Sequence, residues 1–184
     1  MRDLSLHILD LAQNSVRANA ALVEIMVSVD ESRLITITIR DDGSGMSDEL
    51  KERVTSPFAT TRTTRKVGLG IPLMMQNARL AGGDVRIDST LGQGTTLTAT
   101  LHGYSIDCLP LGDLAGTVVS LVSANPERPD FCLSCSSPKG SMDFDTREMR
   151  QALGNVPLNE PEITAWMLSA IQEEIEPIFG GVIL

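Results

Sequence analysis

The sequence predicts a two-layer α/β sandwich, with helices on one face of a mixed and mostly antiparallel sheet, followed by a small α+β extension. Apolar residues in the first twenty positions recur with the spacing of a helix, whereas those of the next two stretches alternate as in strands. The strand-like stretches are joined by short turns, which connect antiparallel neighbours. These three observations favour helices packed against a sheet.

The first part of the chain contains four elements. An amphipathic helix over residues 4–20 is followed by strands over 23–29 and 34–40, in which apolar residues occupy every second position. Ser47 is a suitable N-cap for a short helix that ends near residue 54, because its hydroxyl can accept a hydrogen bond from a free backbone N–H.

A long loop separates these elements from the next ones. Residues 55–68 have no apolar periodicity, and loops of this length usually serve a function. A helix is predicted over 70–81, ended by the pair Gly82-Gly83, and strands are predicted over 84–89 and 95–101.

The composition changes after residue 102, where prolines become frequent and all three cysteines occur. We therefore predict a boundary near residue 103, between a domain over 1–102 and an extension over 103–184. The extension is predicted to contain a helix over 114–123, a hairpin over 131–144 and helices over 146–153 and 160–178, with Asp145 and Asn159 as candidate caps.

Charge and composition narrow the possible partners and the location. Fifteen basic and 24 acidic residues give a net charge of −9, which disfavours binding to nucleic acid or to an anionic membrane. We find no export signal and no apolar stretch long enough to span a bilayer, so the expected location is cytoplasmic, with the cysteines as free thiols.

The predicted first helix has a polar side that carries His7, Asp10, Asn14 and Arg17 within an arc of roughly 80°, opposite its apolar stripe. Such a side is ordinarily a solvated surface. His7 is interpreted as a surface histidine or as one that supports other side chains, because no feature except its position on this helix suggests a role for it.

A glycine-rich segment, Asp41-Asp42-Gly43-Ser44-Gly45-Met46, follows the second strand. Glycines allow a backbone to approach a flat ligand closely. A buried carboxylate at Asp41 could accept a hydrogen bond from the amino group of adenine. A hairpin turn is the alternative interpretation, whereas the spacing of a calcium loop is absent.

A second pair of glycines, in Gly68-Leu69-Gly70, stands at the start of a predicted helix after a stretch rich in threonine and arginine. Backbone amides at a helix N-terminus bind phosphate, and nearby cations strengthen that binding. A merely solvated basic loop is the alternative.

The order of these motifs resembles one family. Asn14, Asp41-x-Gly43-x-Gly45, Ser56-Pro57-Phe58, Gly68-Leu69-Gly70 and Gly92-Gln93-Gly94-Thr95 succeed one another over residues 1–102. The arrangement is similar to that of the GHKL superfamily, which includes gyrases, heat-shock chaperones, histidine kinases and mismatch-repair ATPases. The resemblance implies an ATP-binding sandwich of the histidine-kinase type with a mobile lid.

The resemblance also implies roles for individual residues. Asn14 corresponds to the asparagine that holds Mg²⁺, Asp41 to the residue that reads adenine, and Asp10 to the glutamate that activates a nucleophile, shortened here by one methylene. Arg62 stands where relatives carry a lysine that can neutralise charge on a transferred phosphoryl group. The remaining nucleotide-binding positions implied by the resemblance are Arg17, Gly43, Gly45, Met46, Thr60, Thr61, Arg65, Val67, Gly68, Leu69, Gly70 and Thr95.

Two functions follow from this resemblance. The first is Mg²⁺-dependent ATP hydrolysis or phosphoryl transfer to a protein partner in trans, as in signal transduction. The second is a non-catalytic module whose partner binding is switched by ATP. Because no helical hairpin with a phosphoacceptor histidine precedes the ATP-binding part, we do not expect autophosphorylation of the usual kind.

The sequence does not identify the partner. A response-type regulator and a second copy of the chain are candidates. Free-standing ATP-binding domains with a similar extension look like proteins of anaerobic bacteria linked to iron hydrogenases, and this suggests a redox enzyme as a partner.

Cys132 and Cys135 form a C-x-x-C motif, which could in principle join His102 and Cys108 in a zinc site. A strand over these residues would point the two cysteines to opposite faces, which argues against a shared metal. Redox use of the pair is also disfavoured, since no helix N-terminus is predicted beside it.

Overall fold

The computed structural model describes residues 1–55 and 69–180, and it contains the predicted succession of elements. Most of the predicted bounds are correct to within one or two residues. The elements are α1 Leu4–Arg17, β1 Leu22–Val29, β2 Leu34–Asp41, α2 Asp48–Thr55, α3 Gly70–Leu80, β3 Val85–Thr90, β4 Gly94–His102, α4 Leu114–Ala124, β5 Asp130–Ser137, β6 Gly140–Asp145, α5 Thr146–Leu153 and α6 Pro161–Phe179.

The strands form one six-stranded sheet in the order β3-β4-β2-β1-β5-β6. All neighbouring strands are antiparallel except β1 and β5, which are parallel. In the centre of the sheet, Ile25 lies opposite Ile39 on one side and opposite Leu133 on the other. The prediction of a mixed and mostly antiparallel sheet is therefore confirmed.

The strands bury every second residue, so one face of the sheet forms the core. Val23, Ile25 and Val27 of β1 are buried, whereas the residues between them are partly exposed. The helices α1, α3, α4 and α6 contact the strands from the buried side. The α/β sandwich with helices on one face is confirmed, and its core results from the period-two pattern of the strands.

Two predicted helix ends differ from the structure. The first helix ends at Arg17, three residues earlier than predicted, because Asn19 adopts a left-handed conformation with φ 55°. The predicted cap Asn159 is wrong: α6 begins at Pro161, for which the first turn of a helix is a favoured position, and its N-cap Glu160 makes no side-chain hydrogen bond. In contrast, Asp145 caps α5 by accepting a hydrogen bond from the N–H of Arg147 at 2.8 Å.

The residues after 103 continue the same sheet and the same helical layer. β5 pairs along its length with β1, and α4 packs beside α1. The buried hydroxyl of Ser5 in α1 donates to the carbonyl of Leu111 at 2.6 Å. The predicted boundary near residue 103, between a domain over 1–102 and an extension over 103–184, remains a prediction.

Among residues 1–55 and 69–180, no helix combines the length and the apolar character needed to cross a bilayer.

Candidate functional site

A cavity of about 280 Å³ lies between α1, the ends of β2 and β4, and the helices α2 and α3. Its walls include apolar side chains such as Ile39, Val54 and Ile71. Six of the residues singled out from the sequence also line it, although they run from position 14 to position 95 of the chain. They are Asn14, Arg17, Asp41, Gly45, Met46 and Thr95.

Asp41 stands at the end of β2 with a fixed carboxylate. The hydroxyl of Ser15 donates to its Oδ2 at 2.6 Å, and the backbone N–H of Gly43 donates to its Oδ1 at 2.9 Å. Two donors from different elements therefore hold the half-buried carboxylate at the wall of a largely apolar cavity. A flat heterocycle with an amino group fits such a wall, because an apolar surface receives its ring and a fixed acceptor receives its N–H.

The glycines of the loop after β2 have different environments. Gly45 lines the cavity with φ 63°, and a Cβ there would lie 2.0 Å from the carbonyl oxygen of Thr90. Gly43 is buried beside the cavity, where a Cβ would lie 2.8 Å from the carbonyl oxygen of Ala18. The loop is thus packed between the end of α1 and the β3–β4 turn, and neither position has room for a side chain.

Ser89 of β3 joins this loop to the next strand, and the sequence analysis did not identify it. Its Oγ accepts a hydrogen bond from the N–H of Met46 at 2.8 Å and lies 2.9 Å from the hydroxyl of Thr95. The N–H of Gly92 donates to the carbonyl of Ser44 at 2.7 Å. These contacts fix Met46 and Thr95 on the same side of the cavity.

Asn14 and Arg17 line the cavity from α1. The Oδ1 atom of Asn14 accepts a hydrogen bond from Nη1 of Arg17 at 3.2 Å, and the arginine side chain is otherwise exposed. An amide oxygen is a hard ligand of the kind that Mg²⁺ prefers. The two residues therefore fit a site for a metal ion and for anionic groups at the edge of the cavity.

Asp10 lies one turn before Asn14 and contacts the start of α3. A Cβ at Gly70 would lie 3.1 Å from the Cβ of Asp10, so the helix approaches as closely as a glycine permits. The N-cap Leu69 makes no side-chain hydrogen bond to the first turn of α3. The structure therefore brings the carboxylate of Asp10 beside a helix N-terminus, which attracts anions.

Six of the predicted site residues lie outside the described residues. They are Thr60, Thr61, Arg62, Arg65, Val67 and Gly68.

His7 does not lie on an exposed polar side of α1, so the interpretation as a surface histidine is wrong. Its side chain is fully buried because α3 packs against this side of the helix, and its Nε2 lies 2.6 Å from Nδ2 of Asn77. Burial lowers the pKa of the ring below its ordinary value.

The C-x-x-C motif lies on β5, and its cysteines point to opposite faces as strand alternation predicts. Cys135 is buried in the core, whereas Cys132 is partly exposed beside Arg147. Burial raises the pKa of Cys132 to about 11 and that of Cys135 to about 12, which keeps both as thiols. Within the described part of the chain, no three histidine, cysteine or acidic residues are grouped to hold a metal.

Comparisons with known proteins identify the family of the chain. Residues 2–104 match the family described as histidine kinase-, DNA gyrase B- and HSP90-like ATPases. The sensor histidine kinase WalK of Bacillus subtilis is 30% identical over 100 residues, which are 50% of this chain and 16% of WalK. The histidine protein kinase DivJ of Caulobacter vibrioides is 30% identical over 105 residues, which are 54% of this chain and 18% of DivJ.

The chain thus spans less than a fifth of the length of these two relatives. Among solved structures, the N-terminal domain of a DNA repair protein aligns with a TM-score of 0.50 and 16% identity, over 98% of this chain and 58% of that one. This likeness concerns the fold alone. The family match covers more than half of the 184 residues, and the chain therefore belongs to the histidine kinase-, DNA gyrase B- and HSP90-like ATPases, with an ATP-binding domain of the histidine-kinase type.

Proposed function

We propose that this chain binds ATP with Mg²⁺ in the cavity beside Asp41 and hydrolyses it or transfers its γ-phosphoryl group to a protein partner in trans. The observation that carries the proposal is the carboxylate of Asp41, held by Ser15 and Gly43 at the wall of an apolar cavity.

Adenine is the base that this wall suits. Its exocyclic amino group donates to Asp41, and its ring packs against apolar side chains such as Ile39 and Leu97. Guanine carries a carbonyl at the corresponding position, which would face the carboxylate without a hydrogen bond. We therefore expect ATP to bind more tightly than GTP.

The phosphates extend from the base towards α1 and the start of α3. Asn14 would hold the Mg²⁺ ion, which bridges phosphate oxygens and neutralises their charge. Arg17 adds a positive charge at the same edge of the cavity. Thr60, Thr61, Arg65, Val67, Gly68, Leu69 and Gly70 are proposed as the phosphate-binding lid, and Arg62 as a cation for the transferred group.

Asp10 is the proposed general base. It takes the proton from an attacking water or hydroxyl, the nucleophile bonds to the γ-phosphorus, and the bond to the β–γ bridging oxygen breaks to release ADP. An aspartate is one methylene shorter than the glutamate of related ATPases. We infer that an intervening water bridges Asp10 and the nucleophile.

Labelled ATP tests the two parts of this proposal separately. Wild-type protein incubated with γ-labelled ATP and Mg²⁺, alone and with cell extract, should give free phosphate or a labelled partner. D10N should bind ATP normally but lose at least about 100-fold in turnover, the lower end of the range for a general base. Full turnover in D10N would exclude Asp10 as the base.

A second measurement tests adenine recognition. D41N removes the charged acceptor and should weaken ATP binding by about 100-fold, a value typical for a charge-assisted hydrogen bond in a cavity. D107N, in an exposed turn after β4, is the matched control and should bind as wild type. Equal ATP affinity in D41N would contradict the proposed pose of the base.

A nucleotide-gated interaction module is the second candidate. It is favoured by the parallel pairing of β1 with β5, because this pairing makes the C-terminal residues part of the same sheet as the site. ATP binding without phosphate release or partner labelling would support it. A response-type regulator, a redox enzyme or a second copy of the chain are the proposed partners.

A further inference from the structure

The contact between α1 and α3 contains a buried polar pair that no step of the proposed function uses. His7 is fully buried on α1, and Asn77 is partly buried on α3. Nε2 of His7 and Nδ2 of Asn77 are 2.6 Å apart. In the described part of the chain, this is the one side-chain hydrogen bond that joins the two helices.

Only a neutral ring fits this contact. Because Nδ2 of Asn77 can only donate a hydrogen bond, Nε2 must be the acceptor, which assigns the proton of the neutral ring to Nδ1. Nδ1 is itself buried and has no hydrogen-bond partner. A protonated ring would direct an N–H group at the amide donor.

The pair lowers the stability of the fold, because the buried Nδ1–H group of His7 loses its hydrogen bonds to water and makes none within the protein. Two apolar side chains would fill the same space without that cost. A buried polar pair with an unsatisfied atom between two packed helices therefore requires another reason for its presence.

Its place in the fold supplies that reason. Asp10 follows His7 by one turn on α1 and contacts Gly70, the first residue of α3, which precedes Asn77 by two turns. A directional hydrogen bond fixes how far α3 is shifted and rotated against α1, whereas apolar contacts tolerate small shifts. The start of α3 therefore depends on His7 and Asn77 for its position relative to Asp10.

We infer that His7 and Asn77 are positioning residues, which hold the N-terminus of α3 at the distance from Asp10 that binding of the ATP phosphates requires. The inference rests on the proposed function, since it assumes that phosphates bind at this helix start. It assigns no contact with ATP to either side chain.

The test compares ATP with adenosine in the full chain. Both ligands use the adenine wall, but only ATP reaches the start of α3. The double variant H7L/N77L should bind ATP about tenfold more weakly, the size expected for one charge-assisted hydrogen bond to a phosphate. Its affinity for adenosine should stay within about twofold of wild type, and its resistance to urea should be equal or higher.

Three further variants complete the experiment. H7Q offers Asn77 an amide partner and should restore most of the ATP affinity. Q76A, at an exposed position of α3, is the matched control and should bind both ligands as wild type. N77A replaces the double variant if that one does not fold, because Asn77 is only partly buried, and it should show the same selective loss.

The possible outcomes separate the inference from the function beneath it. If a folded H7L/N77L or N77A protein binds ATP as wild type, or loses ATP and adenosine affinity equally, the positioning role is wrong. If the wild-type protein binds adenosine but does not bind ATP more tightly than adenosine, the proposed phosphate site itself is wrong. A selective loss for ATP that H7Q reverses supports the inference.

Discussion

The carboxylate of Asp41 depends on Ser15 for its orientation, and this gives the adenine pocket a second testable residue. Removing the hydroxyl in S15A deletes the 2.6 Å hydrogen bond to Oδ2 and lets the carboxylate rotate. We expect ATP affinity to fall roughly five- to tenfold, which corresponds to about 1 kcal/mol, the net contribution of a typical intramolecular hydrogen bond. Titration with a fluorescent ATP analogue measures the change.

S28A is the control for this prediction. Ser28 lies on β1, partly exposed on the face of the sheet opposite the core, and has no contact with the cavity. It should bind the analogue as wild type. Equal affinities for S15A and S28A would mean that Gly43 alone orients Asp41.

Burial of His7 makes the stability of the fold depend on pH. Its pKa is lowered in the folded state from the ordinary 6.5, so below pH 6.5 the unfolded chain binds a proton that the folded chain does not. The free energy of unfolding is therefore at its maximum above that pH. It falls as the pH drops, by up to about 1.4 kcal/mol per pH unit, until the folded-state pKa of His7 is reached.

Urea unfolding between about pH 7.5 and 5 tests this sign, since histidine titrates in that range. H7Q should flatten the slope, whereas H102N, at an exposed position at the end of β4, should keep it. The carboxylates of Asp42 and Asp145, whose pKa values are lowered below 3.8, titrate outside this range. A slope that persists in H7Q would show that another group causes it.

Some site residues could be predicted from sequence patterns, whereas others are recognised only from their contacts in the structure. Asp41, Gly45 and Thr95 were predicted because they belong to short glycine-containing motifs, and Asn14 because it precedes these motifs in the order that resembles the family. Ser15 and Asn77 act through partners 26 and 70 positions away, and no local pattern marks them. Their roles follow only from the packing of α1 against β2 and α3.

The loop after β2 allows a matched test of its packing. G45A places a Cβ 2.0 Å from the carbonyl oxygen of Thr90 in a left-handed conformation. Gly92 has a similar φ of 78° but nothing within 4 Å of a Cβ. The conformation alone costs roughly 1–2 kcal/mol for an L-residue, and the overlap adds to it only at Gly45.

We therefore expect G45A to lower the free energy of unfolding by about 3 kcal/mol or more and G92A by about 1 kcal/mol. Urea denaturation of both variants measures the difference. Similar losses for the two variants would mean that the loop moves away from Thr90 at little cost.

Elements were predicted more reliably than the way in which they assemble. Alternating apolar residues identified β1 and β2, because burial of one face of the sheet imposes that pattern. The same pattern does not state which strands are neighbours. The parallel pairing of β1 with β5 joins residues over a hundred positions apart, and it was not predicted.

This pairing places the C-terminal residues against the turn that supports the adenine loop. Nε of Arg128 donates to the carbonyl of Ala20 at 3.2 Å, and Nη2 donates to that of Asn19 at 3.3 Å. On the other side of this turn, Oδ1 of Asp42 accepts from the N–H of Ala21 at 2.7 Å, and the N–H of Ser44 donates to the carbonyl of Ala18 at 2.9 Å. Hydrogen bonds through this turn therefore connect Arg128 to the loop next to Asp41.

R128A should for this reason weaken ATP binding although Arg128 does not line the cavity. Because one of the two hydrogen bonds is exposed and the other only partly buried, we expect about a threefold loss, which calorimetric titration resolves. R147A removes an arginine of the same C-terminal part whose guanidinium contacts Asp145, and it should bind as wild type. Since coupling between two sites is reciprocal, ATP should in turn slow hydrogen exchange around residues 126–130. If R128A binds ATP as wild type and ATP leaves hydrogen exchange there unchanged, the C-terminal residues do not influence the site.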